Sequence, residues 1–139
     1  MIKKHYDLDV YHTNLDEVKL KLKENQLEVG KADNISRGID KLWKKVRKTV
    51  AGPVWLVNTP KFISPLSKAN PDGRSVQRFQ PIIAGSELGN GYSELNDPLD
   101  QLSRFREQQQ MRDAGDDEAM MMDIDFVEML EYGMPPACG

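Results

Sequence analysis

The chain has 139 residues, of which 39% are hydrophobic and 29% are charged, and its formal net charge is −3. This composition is typical of one soluble domain, and it excludes a protein that binds polyanions over its whole surface. The single cysteine, Cys138, excludes an intrachain disulfide and a metal cage built from cysteines.

Charge and hydrophobicity are unevenly distributed along the chain. No apolar run reaches the about 20 residues that cross a bilayer, and the opening MIKKHYDLD lacks the apolar stretch of a signal peptide. We therefore expect a cytoplasmic protein with no membrane partner. Residues 1–48 hold twelve Lys or Arg, whereas residues 87–139 hold three Arg and thirteen Asp or Glu. A cation or a basic partner would suit the acidic part, although solvated helix faces explain most such charges.

The first 50 residues are predicted to be a helical segment. Residues 15–28 are polar and helix-prone, and Asn34 is the predicted cap of a second helix. The apolar stripe of that helix, which should face a core, consists of Ile35, Ile39, Leu42, Trp43, Val46 and Val50. Its other face is basic, with Arg37, Lys41, Lys44, Lys45 and Lys48. We interpret this face as solvated, with nucleic-acid contact as the alternative.

Extended segments are predicted in the middle of the chain. Residues 54–57 indicate a short buried strand, and residues 64–75 form a loop around a Pro-Asp-Gly turn signal. Two extended segments follow, QRFQPIIAG and SELGNGYSEL, with Gly85-Ser86 as the predicted loop of a type II′ hairpin. Pro81 lacks a backbone donor within the first of them, which requires an edge position or a bulge.

Two helices are predicted at the C-terminal end. Asp97 is the expected cap of the first, with Pro98 at its first position, Asp100 near its positive end and Gly115 at its close. The second is predicted over residues 123–132, and its buried side chains should be Phe126, Met129 and Leu130. The order of elements predicts an α+β fold, with an antiparallel sheet flanked by helices.

The unusual stretch is residues 85–97, GSELGNGYSELND, which holds two Ser-Glu-Leu triplets and three glycines. A helix is excluded, because the two glycines between the triplets would cost about 1 kcal/mol each. A turn at Asn90-Gly91 would place Glu87 across from Glu94, and like charges destabilise such a pair unless a cation lies between them. A continuous strand would instead place Asn90, Tyr92 and Glu94 on one face. Its glycine-lined back would let a helix approach closely.

A ligand explains the polar face of such a strand better than packing does, because its β propensity is poor. Glu87 and Glu94 would lie about 23 Å apart, which is too far for a shared acid/base pair. A carboxylate there suits an ammonium or guanidinium group, and a separate acidic residue suits Mg²⁺. A polar loop without any ligand is the alternative.

Several segments resemble the C-terminal part of the catalytic domain of class II lysyl-tRNA synthetases. They are GSELGNGYSELNDPLDQLSRF, DAGDDEAM and FVEMLEYGMPP, with FISPLSK similar to a Ser-Pro-Leu segment upstream. The resemblance runs from about Gly52 to Gly139, and residues 1–50 share it only weakly. It implies that Asn90, Tyr92 and Glu94 line a lysine pocket, in which Glu94 receives the side-chain ammonium. It also implies that Glu87 serves a Mg²⁺ ion bound with ATP.

The reaction implied by the resemblance is lysine activation with ATP, followed by transfer to tRNA(Lys), in a protein that is a homodimer at full length. Two alternatives stay open: a paralogue that lysylates an elongation factor, and a non-catalytic synthetase-like binding module. Gln80 stands where the family usually has a glutamate, so its part in binding Mg²⁺ is doubtful because an amide brings no charge.

Residues 1–139 resemble an incomplete catalytic domain. No counterpart of the family's second motif is found, and the sequence stops where the glycine-rich third motif would begin. The anticodon-binding domain has no counterpart either. We therefore expect this chain alone to activate lysine at no useful rate.

Overall fold

Helices lie at both ends of the chain, with strands between them, in the computed structural model, which describes residues 1–30 and 34–139. These residues divide into two units. The first unit joins Met1–Trp55 with Pro81–Gly89, and the second joins Leu56–Gln80 with Asn90–Gly139. The strand pairs whose registers are known are antiparallel, so the predicted α+β class with an antiparallel sheet is confirmed.

The bounds of the elements are as follows. The helices are α1 (Ile2–Tyr6), α2 (Leu15–Glu24), α3 (Ile35–Val46), α4 (Pro98–Asp113) and α5 (Ile124–Glu131). The strands are β1 (Val54–Pro60), β2 (Ser75–Ile83), β3 (Ser86–Glu87) and β4 (Gly91–Tyr92), and short 3-10 helices cover Arg47–Thr49 and Lys61–Ile63. Within the described ranges, no helix is both long and apolar enough to span a membrane.

The core of the first unit lies between α2 and α3. Asn34 caps α3 as predicted, since its side-chain oxygen accepts from the Arg37 backbone N–H at 3.0 Å. Gly38 brings the two helices together, because a Cβ at this position would collide with the Val18 side chain. The buried apolar side chains of the two helices are Val18, Leu22, Ile39, Leu42, Trp43 and Val46. Four of the six residues predicted for the stripe are therefore buried, whereas Ile35 and Val50 are only partly buried.

The basic face of α3 is largely engaged within its own unit. Lysine side chains bind backbone carbonyls of the preceding segment or an acidic neighbour on the helix. The contacts are Lys41 Nζ with the Glu28 carbonyl (3.1 Å), Lys44 Nζ with Asp40 (2.6 Å) and Lys45 Nζ with the Asn25 carbonyl (2.6 Å). These contacts favour the interpretation as an ordinary solvated face rather than a nucleic-acid surface.

The hairpin that precedes the unusual stretch is displaced by one residue from its predicted position. Ile83 pairs with Ser86, so the two-residue loop is Ala84-Gly85 rather than Gly85-Ser86. Both loop residues have positive φ, 48° and 73°. Two positive φ values define a type I′ turn, so the predicted type II′ turn is wrong.

The unusual stretch runs on in one direction beside β2 and does not turn back at Asn90-Gly91, so that alternative is wrong. The registers are Ile82 with Glu87, Ile83 with Ser86, Arg78 with Tyr92 and Phe79 with Gly91. Between these pairs lie two residues of β2, Gln80 and Pro81, and three residues of the opposite segment, 88–90. The additional residue forms a β-bulge opposite Pro81, which has no backbone N–H to donate. The sequence predicted either a bulge or an edge position at this proline.

Burial differs from the prediction in β1 and α5. The strand predicted as buried exposes 66% of Trp55 and 51% of Val57, because alternate side chains of β1 lie on two faces and one face is open. Helix α4 begins as predicted, with Asp97 accepting from two backbone N–H groups. Helix α5 buries Leu130, but 63% of Met129 is exposed, so its predicted burial is wrong.

Candidate functional site

Residues 91–95 form a central extended segment of the second unit. Their backbone N–H groups bind alternately to the two sides, which holds the segment straight. On one side Ser93 donates to the Gln77 carbonyl and Leu95 to the Leu66 carbonyl, both at 2.9 Å. On the other side Tyr92 donates to the Gly139 carbonyl at 2.8 Å and Glu94 to the Ala137 carbonyl at 2.9 Å. Because its backbone is satisfied on both edges, this segment is a rigid support for its side chains.

The two faces of the segment have different character, as the period of two predicts. Tyr92 pairs with Arg78, which places both side chains on one face. On the other face, a Cβ on Gly91 would lie 2.5 Å from the Phe79 ring. The missing side chain therefore makes room for a cross-strand aromatic ring, and not for the helix that we expected.

Asn90 is held by a charged neighbour across the strand pair. Arg78 Nε donates to Asn90 Oδ1 at 2.6 Å, and the Nη1 group of the same guanidinium donates to Ser64 Oγ at 3.2 Å. The Ser64 and Ser67 hydroxyls are 2.6 Å apart and buried. Asn90 thus belongs to a chain of polar contacts that begins in the loop after β1.

Glu94 is partly buried on the same strand as Tyr92. Within residues 1–30 and 34–139, no group forms a hydrogen bond or an ion pair with the Glu94 carboxylate or the Tyr92 hydroxyl. A partly buried carboxylate is usually paired, because loss of hydration is costly without a cation or donor. The arrangement can therefore accept a ligand cation beside an aromatic ring.

A partly buried ion pair supports the backbone next to Glu94. Arg104, whose side chain is 2% exposed, binds both carboxylate oxygens of Asp100, at 2.9 and 2.6 Å. This guanidinium holds the pKa of the Asp100 carboxyl below its usual value. It also donates to the Ser67 carbonyl at 2.6 Å, and Ser67 forms a β-bridge with Glu94.

Glu87 lies in the first unit and is engaged with α3. Trp43 Nε1 donates to Glu87 Oε1 at 2.7 Å, and Arg47 Nε lies 3.7 Å from the same oxygen. Arg47 Nη1 also donates to the Gly85 carbonyl at 2.8 Å. Glu87 therefore ties the hairpin to α3, a role that the sequence did not indicate.

The two residues predicted to serve Mg²⁺, Glu87 and Gln80, lie in different units of the chain. Gln80, in the second unit, is buried. In the part of the chain that the structure describes, no group of three or more His, Cys, Asp or Glu residues is arranged to hold a metal ion. The chain's own residues thus do not complete a magnesium site, and the roles of Glu87 and Gln80 toward the ion stay predictions.

Sequence reasoning missed three residues around these side chains: Arg78, Arg104 and Trp43 as a hydrogen-bond donor. Arg104 follows Asp100 by four residues on a predicted helix, which is a signal for an ion pair. Arg78 had no such signal, because its partner Asn90 is reached only through the register of the sheet.

The sequence of this chain is similar to those of known proteins. The family model described as tRNA synthetases class II (D, K and N) matches residues 3–139. The chain therefore belongs to this family of class II tRNA synthetases. Within the family it is similar to proteins named lysine–tRNA ligase, which confirms the resemblance found in its motifs.

Two relatives illustrate the similarity. The chain is 45% identical over 139 residues to the lysine–tRNA ligase of Thermosipho melanesiensis, an alignment that covers 99% of this chain and 28% of that protein. It is 49% identical over 126 residues to that of Thermotoga maritima, with 89% of this chain and 25% of that protein covered. The chain thus spans about a quarter of the length of the curated relatives it matches. The family match begins at residue 3, so it also includes the helical segment of residues 1–50.

Proposed function

We propose that this chain is the lysine-binding part of a lysine–tRNA ligase. The observation that carries the proposal is the Glu94 carboxylate, which is partly buried and has no partner within the described residues. Tyr92 lies two residues before Glu94 in the extended segment 91–95, and Asn90 lies just before that segment, with its amide oxygen bound to Arg78. The similar proteins are named lysine–tRNA ligase. Glu94 would receive the lysine ammonium, while the Tyr92 ring would cover the aliphatic stem.

Selection for lysine would follow from the charge of Glu94. A carboxylate that has lost part of its hydration pays a free-energy cost unless the ligand brings a cation to it. A ligand of similar size that ends in an uncharged group would leave this cost uncompensated. Glu94 would therefore discriminate against neutral amino acids by charge rather than by size.

The whole protein would join the lysine carboxylate to the adenylyl group of ATP, with release of pyrophosphate, and would pass the lysyl group to tRNA(Lys), with release of AMP. ATP would supply the adenylyl group, and Mg²⁺ bound with it would supply positive charge that offsets the phosphate charges. The part played by this chain's residues would be to bind and orient lysine, which supports catalysis through positioning. Glu87 is proposed to serve ATP and its Mg²⁺ ion, and the full-length protein is proposed to be a cytoplasmic homodimer.

Calorimetric titration of the chain with L-lysine tests this proposal. The expected result is saturable binding that Glu94→Gln weakens at least tenfold, because the amide cannot pair with the ammonium. Glu128→Gln is the matched control. Glu128 is exposed on α5, and its substitution removes the same charge from the same unit.

Two results would reject the proposal. One is the absence of lysine binding by the chain when circular dichroism shows it to be folded. The other is equal affinity in Glu94→Gln and Glu128→Gln, which would mean that the cation does not contact Glu94. Binding of RNA without any lysine binding would support the alternative of a non-catalytic module.

A further inference from the structure

We infer that Arg78 is a positioning residue of the lysine site, which acts by orienting the Asn90 amide toward the ligand. This inference rests on the proposed function, and it adds a residue for which neither the motifs nor the similar proteins' names indicated a role. The contact that carries it is the hydrogen bond from Arg78 Nε to Asn90 Oδ1, at 2.6 Å.

The orientation of the Asn90 side chain follows from the chemistry of its partner. A guanidinium has only donors, so the amide oxygen must face Arg78 and the NH₂ group must face away from it. With its oxygen occupied, Asn90 offers a ligand two N–H donors at Nδ2. It therefore requires an acceptor on the ligand.

Lysine carries such an acceptor only in its carboxylate. If Glu94 holds the ammonium at one end, the Asn90 amide, about 13 Å along the strand at 3.3 Å per residue, faces the other end of the ligand. Arg78 thus makes the site directional, with an acceptor for the cation at Glu94 and a donor for the carboxylate at Asn90.

Arg78 is itself restrained by the loop after β1. Its Nη1 group donates to Ser64 Oγ at 3.2 Å, and the Ser64 hydroxyl is 2.6 Å from that of Ser67. Because Nε binds Asn90 and Nη1 binds Ser64, the planar guanidinium has two different partners that restrict its rotation. A lysine at position 78 would keep the charge, but one ammonium on a flexible stem does not reproduce this geometry.

The test compares the binding of L-lysine with that of 1,5-diaminopentane, which has both amines of lysine but lacks its carboxylate. Calorimetry on the 139-residue chain should show that Arg78→Gln weakens lysine binding roughly tenfold and leaves diaminopentane binding unchanged. Arg78→Lys should lose most of the same affinity, because the fork geometry is absent. Arg106→Gln, which removes an exposed arginine of α4, should bind both ligands as the unchanged chain does.

A double-mutant cycle separates positioning from a general structural effect. Because Arg78 acts through Asn90, the double variant with Asn90→Ala should bind lysine no more weakly than Asn90→Ala alone. The same variants, labelled with ¹⁵N, should show an ordered Asn90 side-chain NH₂ in the unchanged chain and a mobile one in Arg78→Gln and Arg78→Lys. Circular dichroism confirms that each variant is folded.

Several outcomes would overturn the inference while leaving the proposed function intact. They are Glu94-dependent lysine binding that Arg78→Gln does not weaken, equal losses for lysine and diaminopentane, and a further tenfold loss when Arg78→Gln is added to Asn90→Ala. Full affinity in Arg78→Lys would also overturn it, since charge alone would then suffice. Absence of lysine binding by the unchanged chain would refute the proposed function, and this inference with it.

Discussion

The partly buried ion pair of Arg104 and Asp100 provides a sharp test of how the second unit is held together. Asp100→Asn keeps the size of the side chain but removes the charge that neutralises Arg104. The Arg104 side chain is 2% exposed and donates to both Asp100 oxygens, at 2.9 and 2.6 Å. In Asp100→Asn the NH₂ group of the amide takes the place of one of these oxygens, so one N–H donor of Arg104 faces another donor. The bonds from Arg104 to the Ser64 and Ser67 carbonyls, at 3.4 and 2.6 Å, do not offset the buried charge.

The magnitude follows from the burial of the two partners. Removing one member of a fully buried pair costs about 3–5 kcal/mol. Asp100 is 29% exposed, so water screens part of the interaction, and we expect a loss of about 2–3 kcal/mol in the free energy of unfolding. In urea, with a slope of roughly 1.5–2 kcal/mol per molar, the midpoint should fall by about 1–2 M.

The assay is urea denaturation followed by far-ultraviolet circular dichroism, because both tryptophans belong to the first unit. Glu107→Gln, an exposed charge on the same helix, is the control and should change stability by less than about 0.5 kcal/mol. The reasoning is refuted if the two variants lose the same stability at pH 7.

The pH dependence has a defined sign. The Arg104 guanidinium lowers the pKa of Asp100 in the folded chain, below the value of about 3.9 expected in the unfolded chain. The stabilisation is therefore present above about pH 4 and lost as the pH falls through the lower folded pKa. The stability gap between the unchanged chain and Asp100→Asn should narrow below pH 4. A gap that stays constant down to pH 2 would contradict this account.

Two further predictions concern close contacts that the sequence did not indicate. Gly91→Ala should destabilise the chain by about 1–3 kcal/mol, because the added Cβ would collide with the Phe79 ring. Urea denaturation should show a smaller loss when the same substitution is made in a Phe79→Ala background. Equal losses in the two backgrounds would contradict this contact. Trp43→Phe should cost about 1–2 kcal/mol in the same assay, because Glu87 loses its indole donor. Trp55→Phe, at a ring that is 66% exposed, is the control and should cost less than about 0.5 kcal/mol; equal losses at the two tryptophans would argue against a role for the Glu87 contact.

The elements that the sequence predicted well are those set by local chemistry. The caps at Asn34 and Asp97 accept hydrogen bonds from backbone groups two or three residues away, so the interaction is encoded within one turn of chain. Local chemistry left two geometries open around Asn90, because an Asn-Gly turn would oppose two carboxylates unless a cation lay between them. The resemblance to the family favoured the strand. The face shared by Asn90 and Tyr92 then followed from the period of two.

The errors lie where two distant segments meet. The hairpin loop was displaced by one residue, because both Gly85-Ser86 and Ala84-Gly85 satisfy the turn preference and only the pairing of Ile83 with Ser86 distinguishes them. The burial predicted for Met129 was wrong because helical spacing does not say how wide the covered face is. The space left by Gly91 is occupied by Phe79, a residue twelve positions away that faces it only through the strand register.

The candidate site shows the same division. Local patterning placed an amide, a phenol and a carboxylate in a row on one strand, because alternation along an extended chain depends on nothing beyond the strand itself. Tertiary packing brought Arg78 to Asn90, Arg104 to the Ser67 carbonyl and Trp43 to Glu87, contacts in which one partner is chosen by sheet register or helix docking. A side chain's own residue type sets what it can bind, but the atoms within hydrogen-bond distance are set by the whole fold.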